Sequence, residues 1–472
     1  MDEPADDIKS IASEMEEDQK LPEPIPAGLD EKGPNQDAHA DGGGVEDKKQ
    51  AILHACRTRD LARLRALAES PGGFLSDDLR QQAWPVLLGL PPFGTDVKAE
   101  DDGRDGHNGY SSTTSSAFSW ESLPRHKDED QVQLDVNRAF VYYPKNQTDS
   151  QRQHQKSLLS DLILSVLRRH PYLHYFQGYH DIAQVLLLVL NPPISTPNTS
   201  LPQTSILLSH LSLLHIRDFM LPSMTPSLAQ LHLIPDILRH ADPLLYRLLS
   251  LTEPFFALAG TLTMYAHEVP TFSEITRLFD VLLARDPCFT AYLFASLILA
   301  RRDELLSVEP DRDILHAVLS RLPDPLPVPI ETLIANAAAL ERKYPPETLP
   351  SWKKRVSKWS VLKTARRKPG MEGIPPGSIE DAQQYFEKQV RELEWLEKRD
   401  RARKWVWQHR RSVGMAGMAV VVAVLAVLLR RAGENVPSGT WASVYLGYPG
   451  VLPGSVAEGM AWLSGVLRGL WP

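Results

Sequence analysis

Seventeen consecutive residues, Val413 to Leu429 (VGMAGMAVVVAVLAVLL), carry no polar side chain, and Arg410-Arg411 and Arg430-Arg431 bracket them. No other stretch narrows so sharply what the chain can become. A helix that is apolar on every face must leave water, and shorter apolar runs usually do so as core helices. Here the paired arginines and the lack of any polar face oppose burial in a core. At about 1.5 Å per residue the run makes roughly 25 Å of helix. That is short for an average bilayer core of ~30 Å and close to the ~27 Å of the endoplasmic reticulum. The run therefore predicts one transmembrane helix over 413–429. Lys398, Arg399, Arg401, Arg403, Lys404, Arg410 and Arg411 lie just upstream, against Arg430 and Arg431 downstream. This bias keeps the N-terminal bulk cytoplasmic and makes 430–472 a lumenal tail. Met460, Trp462, Leu463, Val466, Leu467, Leu470 and Trp471 stand there at near-helical spacing, which suits a short surface helix or a loosely packed tail equally.

Charge divides the rest of the chain. Residues 1–50 hold fifteen Asp/Glu against five Lys, with no secretory signal and no long apolar run, and are expected to be disordered. Residues 352–411 hold seventeen Lys/Arg against eight Asp/Glu. A basic connector and juxtamembrane helix over 346–411 follows from this, with Ser378 as N-cap and helix-favouring pairs at Glu387/Arg391, Glu394/Lys398 and Glu397/Arg401. A solvated charged linker fits the same residues as well. The net charge of −8 makes nucleic acid a poor first partner. Cys56 and Cys288 are too few for a disulfide framework or a cysteine zinc site, as expected of a cytosolic domain.

Between these ends, residues 51–345 read as one all-α domain. Ile52, Leu53, Cys56, Leu61, Leu64 and Leu67 recur at helical spacing up to Pro71-Gly72-Gly73, and a second helix runs from Leu79 to Leu90. A polar, Asp/Gly/Ser-rich stretch over about 91–130 reads as a mobile insertion, and Pro192 to Pro202 as a second loop. No run alternates as a strand would.

Several chemistries drop out. There is no Walker-type loop, no G-x-S-x-G elbow, no H-E-x-x-H and no kinase signature set. His174, His180 and Asp181 cluster without a recognisable ligand framework, so no metal site is expected. An active site belonging to this chain alone is disfavoured. Three segments stand out instead: Arg80-Gln-Gln-Ala-Trp84-Pro-Val-Leu-Leu-Gly89, Val132-Gln-Leu-Asp135-Val-Asn-Arg138, and Tyr175-Phe-Gln177-Gly178-Tyr-His-Asp-Ile182. Singly, each has a bland reading: Trp84 a core aromatic, Asp135/Arg138 a surface pair worth a few tenths of a kcal/mol, Gln177 a loop polar residue.

Together, in this order on a helical background, they resemble the TBC domain, the GTPase-activating module for Rab-family GTPases. Its R-x-x-x-W-x-x-L-L-G-like opening, I-x-x-D-x-x-R and Y-x-Q fingerprints match them, with Val132 in place of Ile. Phe255 to Pro287, with Phe279-Asp280, is similar to the family's later W-D block, with Phe for Trp. The resemblance covers roughly 75–345. The YFQGYHDI third motif and the C-terminal apolar run look most like the membrane-anchored branch of the family.

The resemblance implies a GTP-bound Rab partner in ER-to-Golgi vesicle transport and anchorage in the endoplasmic reticulum membrane through 413–429. It makes Arg138 an arginine finger and Gln177 a glutamine finger, both supplied in trans. Asp135 would fix the Arg138 guanidinium, Tyr175 would shape the loop presenting Gln177, and Gly178 would let its backbone come close to the partner. Arg80, Trp84 and Gly89 form the structural motif. No cofactor belongs to the chain, since Mg²⁺ and GTP are the partner's. The main alternative is a catalytically silent Rab-binding scaffold at the same membrane; a tethering protein with accidental motifs is the other.

Overall fold

The computed structural model describes residues 42–92, 120–145, 147–191, 201–321, 323, 325–367 and 370–434. Among these residues the regular structure is helical throughout, with no strand, as the absence of alternation predicts. The chain divides into two compact units, one through Leu393 and one from Glu394.

The first unit opens with α1 (Gly42–Thr58), α2 (Leu61–Glu69) and α3 (Asp77–Leu87). After Trp120 come α4 (Glu129–Val136), α5 (Asp149–Arg169), α6 (Tyr179–Leu190) and α7 (Leu201–Leu214). Short helices between Arg217 and Leu262 lead to α8 (Phe272–Ala284), α9 (Phe289–Ala300) and, after two more, α10 (Ile330–Lys343). α11 (Pro350–Lys354), α12 (Val361–Thr364) and the start of α13 (Ile379–Gln408) complete it.

Local signals set these boundaries. Thr148 and Gln151 form a capping box at the start of α5: the Gln151 N–H donates to Thr148 Oγ1 at 3.3 Å and the Thr148 N–H to Gln151 Oε1 at 3.0 Å. Arg168 and Arg169 in its last turn complement the helix dipole. The two most apolar helices sit deepest. Every residue of α6 except Asp181 is buried, and it packs against α3, α5 and α7. α9 is buried from Phe289 to Ile298 and packs against α10. One core runs from Ile52 to Leu393, each fully buried Leu or Phe contributing roughly 1.5–3 kcal/mol.

Three sequence expectations change. The acidic segment was expected to stay disordered to residue 50, yet α1 begins at Gly42, and Lys48 Nζ donates to the Pro71 carbonyl at 2.7 Å. Its first turn, Gly42-Gly43-Gly44, has poor helical propensity, and the polar residues after it ride on a helix that continues into buried Ile52, which composition alone does not reveal; residues 1–41 lie outside the described residues. The insertion expected over 91–130 is shorter. Residues 93–119 lie outside the described residues, but the Arg168 guanidinium stacks 5.3 Å over Trp120 and pairs with Glu129 at 2.7 and 2.9 Å, so 120–130 belong to the fold. The connector expected from 346 is folded as far as Leu393. Trp352, Val356, Val361, Leu362, Ala382 and Phe386 are buried, and Arg366 pairs with Asp286 and Glu341 at 2.9 Å each. Arg366 and Arg367 spend their charge on carboxylates from other segments, while Lys353, Lys354, Arg355 and Lys358 stay exposed.

Ser378 Oγ accepts the Asp381 N–H at 3.0 Å, capping α13 as the sequence suggests, and the Glu387/Arg391 pair closes to 3.4 Å. In the second unit Glu394/Lys398 and Glu397/Arg401 approach to 3.7 and 3.9 Å, and α14 (Arg410–Glu434) covers the apolar run. Among the described residues no helix is long and apolar enough to cross a membrane. The expected span includes 413–417, 419 and 429, whose side chains lie outside the description.

Candidate functional site

The first motif builds a core junction. Asp280 on α8 is fully buried and accepts from Arg80 Nε at 3.0 Å, Arg80 Nη2 at 3.1 Å, the Trp84 indole at 2.9 Å and the Phe74 N–H at 3.0 Å. Phe279 packs on Trp84 with ring centroids 5.9 Å apart, filling the place where the family motif has Trp. Gly89 ends this segment at φ +84°, in the left-handed region that suits glycine. Arg80, Trp84 and Gly89 thus serve architecture.

The second and third motifs meet elsewhere. The residues between His126 and Asp135 run beside those between Leu173 and Tyr175, laced by four polar contacts. His126 Nε2 donates to the Leu173 carbonyl at 3.0 Å, Lys127 Nζ reaches the His174 ring at 2.8 Å, and the Tyr175 N–H donates to Asp128 Oδ2 at 3.0 Å. The fourth joins the motif residues themselves: the Tyr175 hydroxyl donates to Asp135 Oδ2 at 2.9 Å. Burial and the Asp135 carboxylate together raise the Tyr175 phenol above its ordinary range, so it remains a donor.

Asp135 is fully buried at the end of α4, and its other oxygen accepts from Gln131 at 3.3 Å and from the Arg138 guanidinium. The Arg138 side chain is 64% exposed, and Asp135 holds it by one edge. The backbone around it is fixed. Lys156 Nζ donates to the Asn137 carbonyl at 2.6 Å, and the Phe140 N–H donates to buried Gln184 Oε1 at 2.9 Å. A guanidinium anchored on one edge keeps its remaining N–H groups for an incoming anion.

Gln177 is exposed, in the turn that leads into α6. Phe176 before it packs on Tyr179 and Phe219 at centroid distances of 5.6 and 5.9 Å. Gly178 after it takes φ +103°, and a Cβ there would come within 2.6 Å of Thr263 Cγ2. Glycine is required at this position twice over, by conformation and by space. The His180 ring lies between Asp135 and Asp181, and burial outweighs both carboxylates to hold its pKa below the ordinary value. Asp181 also accepts from His267 at 3.2 Å, which raises that imidazole's pKa. The histidines that cluster in sequence are thus paired with carboxylates and Lys127, and no metal-holding group occurs among the described residues. Sequence reasoning did not find His126, Asp128, Gln184, Thr263 or His267, because each acts across 44–86 residues of chain with no local signature.

Removing the hydroxyl by Tyr175→Phe strips Asp135 of one donor and cuts the side-chain hydrogen bond that joins the two motifs. The domain should lose about 1–3 kcal/mol of stability in urea denaturation. An unchanged midpoint would mean that Asp135 is held by Arg138 and Gln131 alone.

Residues 77–306 match the family model described as the Rab-GTPase-TBC domain. TBC1 domain family member 20 from Mus musculus is 34% identical over 315 residues, which cover 66% of this chain and 71% of the relative. Its Homo sapiens counterpart is 34% identical over 316 residues, with the same coverage of each chain. The GTPase-activating protein gyp10 from Schizosaccharomyces pombe is 32% identical over 324 residues, covering 68% of this chain and 79% of that protein.

Proposed function

Because the chain belongs to the Rab-GTPase-TBC family, and so carries a Rab GTPase-activating domain with a Rab GTPase as partner, we propose that Arg138 and Gln177 are its two catalytic fingers. One observation carries this reading. Arg138 and Gln177 are the exposed members of motifs that are joined behind them by buried Asp135 and half-buried Tyr175, which are bonded to each other. A guanidinium and a carboxamide are thus presented on one rigid, cross-linked pair of loops.

The chemistry follows from phosphoryl transfer. A small GTPase hydrolyses GTP slowly because charge developing on the transferred phosphoryl and the bridging oxygen is poorly stabilised. A guanidinium inserted in trans neutralises that charge and is worth roughly 10³–10⁵ in rate. The carboxamide orients the attacking water through its oxygen and supports the phosphoryl through its N–H groups. The GTP-bound state is the one that offers a γ-phosphate to both.

The same reading places the protein in the endoplasmic reticulum membrane, acting in ER-to-Golgi transport, with the TBC domain cytoplasmic. Two facts support the anchor: the bracketed apolar run, and the exposure of Met418 and of every residue from Val420 to Leu428 on α14. An apolar helix exposed on all sides is stable only in an apolar medium. Tethering there raises the effective concentration of a membrane-bound partner without new contacts.

The test is single-turnover GTP hydrolysis across a panel of Rab GTPases, with the full-length protein in lipid vesicles. Stimulation of about 10³ or more for one Rab or a few is expected. GTP-dependent binding without stimulation would instead favour the scaffold. For the anchor, alkaline carbonate should leave the full chain in the membrane pellet and release a variant lacking 410–434. A glycosylation sequon placed in 435–472 should be modified while those at Asn146 and Asn198 stay bare; glycans at Asn146 would reverse the topology.

A further inference from the structure

Arg217 and Asp218 stand side by side in a 3-10 turn (Arg217–Met220), each only 1% exposed, and neither uses the other as a hydrogen-bond partner. Arg217 Nη1 donates to the Leu213 carbonyl at 2.8 Å and Asp218 accepts from Gln230 Nε2 at 2.9 Å, and both side chains also reach the segment beyond α11. Arg217 Nη2 donates to the Trp359 carbonyl at 2.9 Å and to Thr364 Oγ1 at 2.8 Å, and its guanidinium lies 5.6 Å over the Tyr385 ring. Asp218 accepts the Val361 N–H at 2.9 Å and the Ser360 hydroxyl. Two buried charges on consecutive residues therefore clamp one short stretch, 359–364.

The same turn has a second face. Phe219 sets its ring against Phe176, the residue before Gln177, and the Met220 carbonyl accepts the His174 N–H at 2.9 Å. On its other flank, the loop's Tyr172 packs on Phe386 of α13 at 5.1 Å. The Gln177 loop is thus held from behind by the turn and by α13. The turn in turn is held by residues lying outside the three sequence motifs.

We propose that residues 357–367 and 370–386 form a positioning strap for the Gln177 loop, acting through the Arg217–Met220 turn and through Tyr172. Ser360, Thr364 and Phe386 are its positioning residues. This rests on the finger reading for its consequence, since only a catalytic Gln177 makes the loop's placement a matter of rate. A loosened loop still meets the partner but fills the productive geometry less often. The strap therefore sets turnover and leaves partner recognition alone.

The test uses the full-length chain in vesicles, with Ser360→Ala/Thr364→Val and Thr364→Ser. The double variant removes both hydroxyls while leaving Arg217 and Asp218 in place; the serine variant keeps the hydroxyl that accepts from Arg217. Two readouts are needed: steady-state stimulation of the responsive Rab, and amide hydrogen exchange of 172–178 in the protein alone. The double variant should lower kcat about 10- to 100-fold with KM within about twofold. It should also speed exchange in 172–178, and Thr364→Ser should restore both. Unchanged exchange in 172–178 alongside faster exchange in 357–364 would overturn the proposal. So would a KM effect with kcat preserved. If wild type stimulates no Rab while the double variant still speeds exchange in 172–178, the strap stands and the finger reading falls.

Discussion

With Arg138 replaced by alanine, stimulation of the responsive Rab falls by about 10³-fold or more in single-turnover hydrolysis, to near the partner's unaided rate. GTP-dependent binding persists, because the side chain is exposed and the fold does not depend on it. The carboxylate of Asp135 keeps Tyr175 and Gln131 as donors, so stability shifts little. Arg138→Lys tells a sharper story. Asp135 already engages one edge of the guanidinium, and a lysine held there is a single point charge with no second edge to offer the phosphoryl. It should therefore lose nearly as much as alanine. If Arg138→Lys keeps more than about a tenth of the stimulation, a bare positive charge suffices and the fork is irrelevant. If Arg138→Ala stimulates as well as wild type, the finger lies elsewhere.

The second large effect concerns stability. Asp280→Ala leaves the Arg80 guanidinium, the Trp84 indole and the Phe74 N–H without their shared acceptor, in a site with no water exposure at the carboxylate. Asp77 remains within 2.8 Å of Arg80 but is itself partly exposed and cannot reach the other two donors on present contacts. Stranding a buried charge costs about 3–5 kcal/mol, a large part of the ~5–15 kcal/mol that holds a domain together. Urea unfolding followed by tryptophan fluorescence should show the loss. Arg80→Met/Asp280→Leu, which removes both charges, should cost clearly less than the sum of the two single changes. Strict additivity would mean that the pair is not coupled and that the motif serves packing alone.

Sequence and structure agree where information is local or repeated in a motif. The spacing of Ile52, Leu64 and Leu67 gives helices, and Ser378 gives a cap, because both signals sit within one turn of chain. Arg80, Trp84, Asp135, Arg138, Tyr175 and Gln177 are legible through the motifs they complete. What joins them is not. Nothing near Asp280 says that it accepts from residues about two hundred positions earlier. Nothing near Tyr175 says that its hydroxyl closes on Asp135, 40 residues back. The segment after 346 looks like a solvated linker because Arg366 finds its carboxylates at Asp286, Glu341 and Glu347, far from its own neighbours in sequence. Composition counts charges; it does not show which of them are paired.

Asp280 also sets a clock. Its three donor residues precede it by 206, 200 and 196 positions. A ribosome adding ~5–20 residues per second needs roughly 10–40 s to cross that interval. Throughout it, Arg80 and Trp84 exist without the acceptor that lets them be buried, and the apolar faces of α2 and α3 lack the α8 surface they pack on. The N-terminal helices therefore cannot settle early, although they are made first. Their folding is deferred until well over half of the chain has emerged.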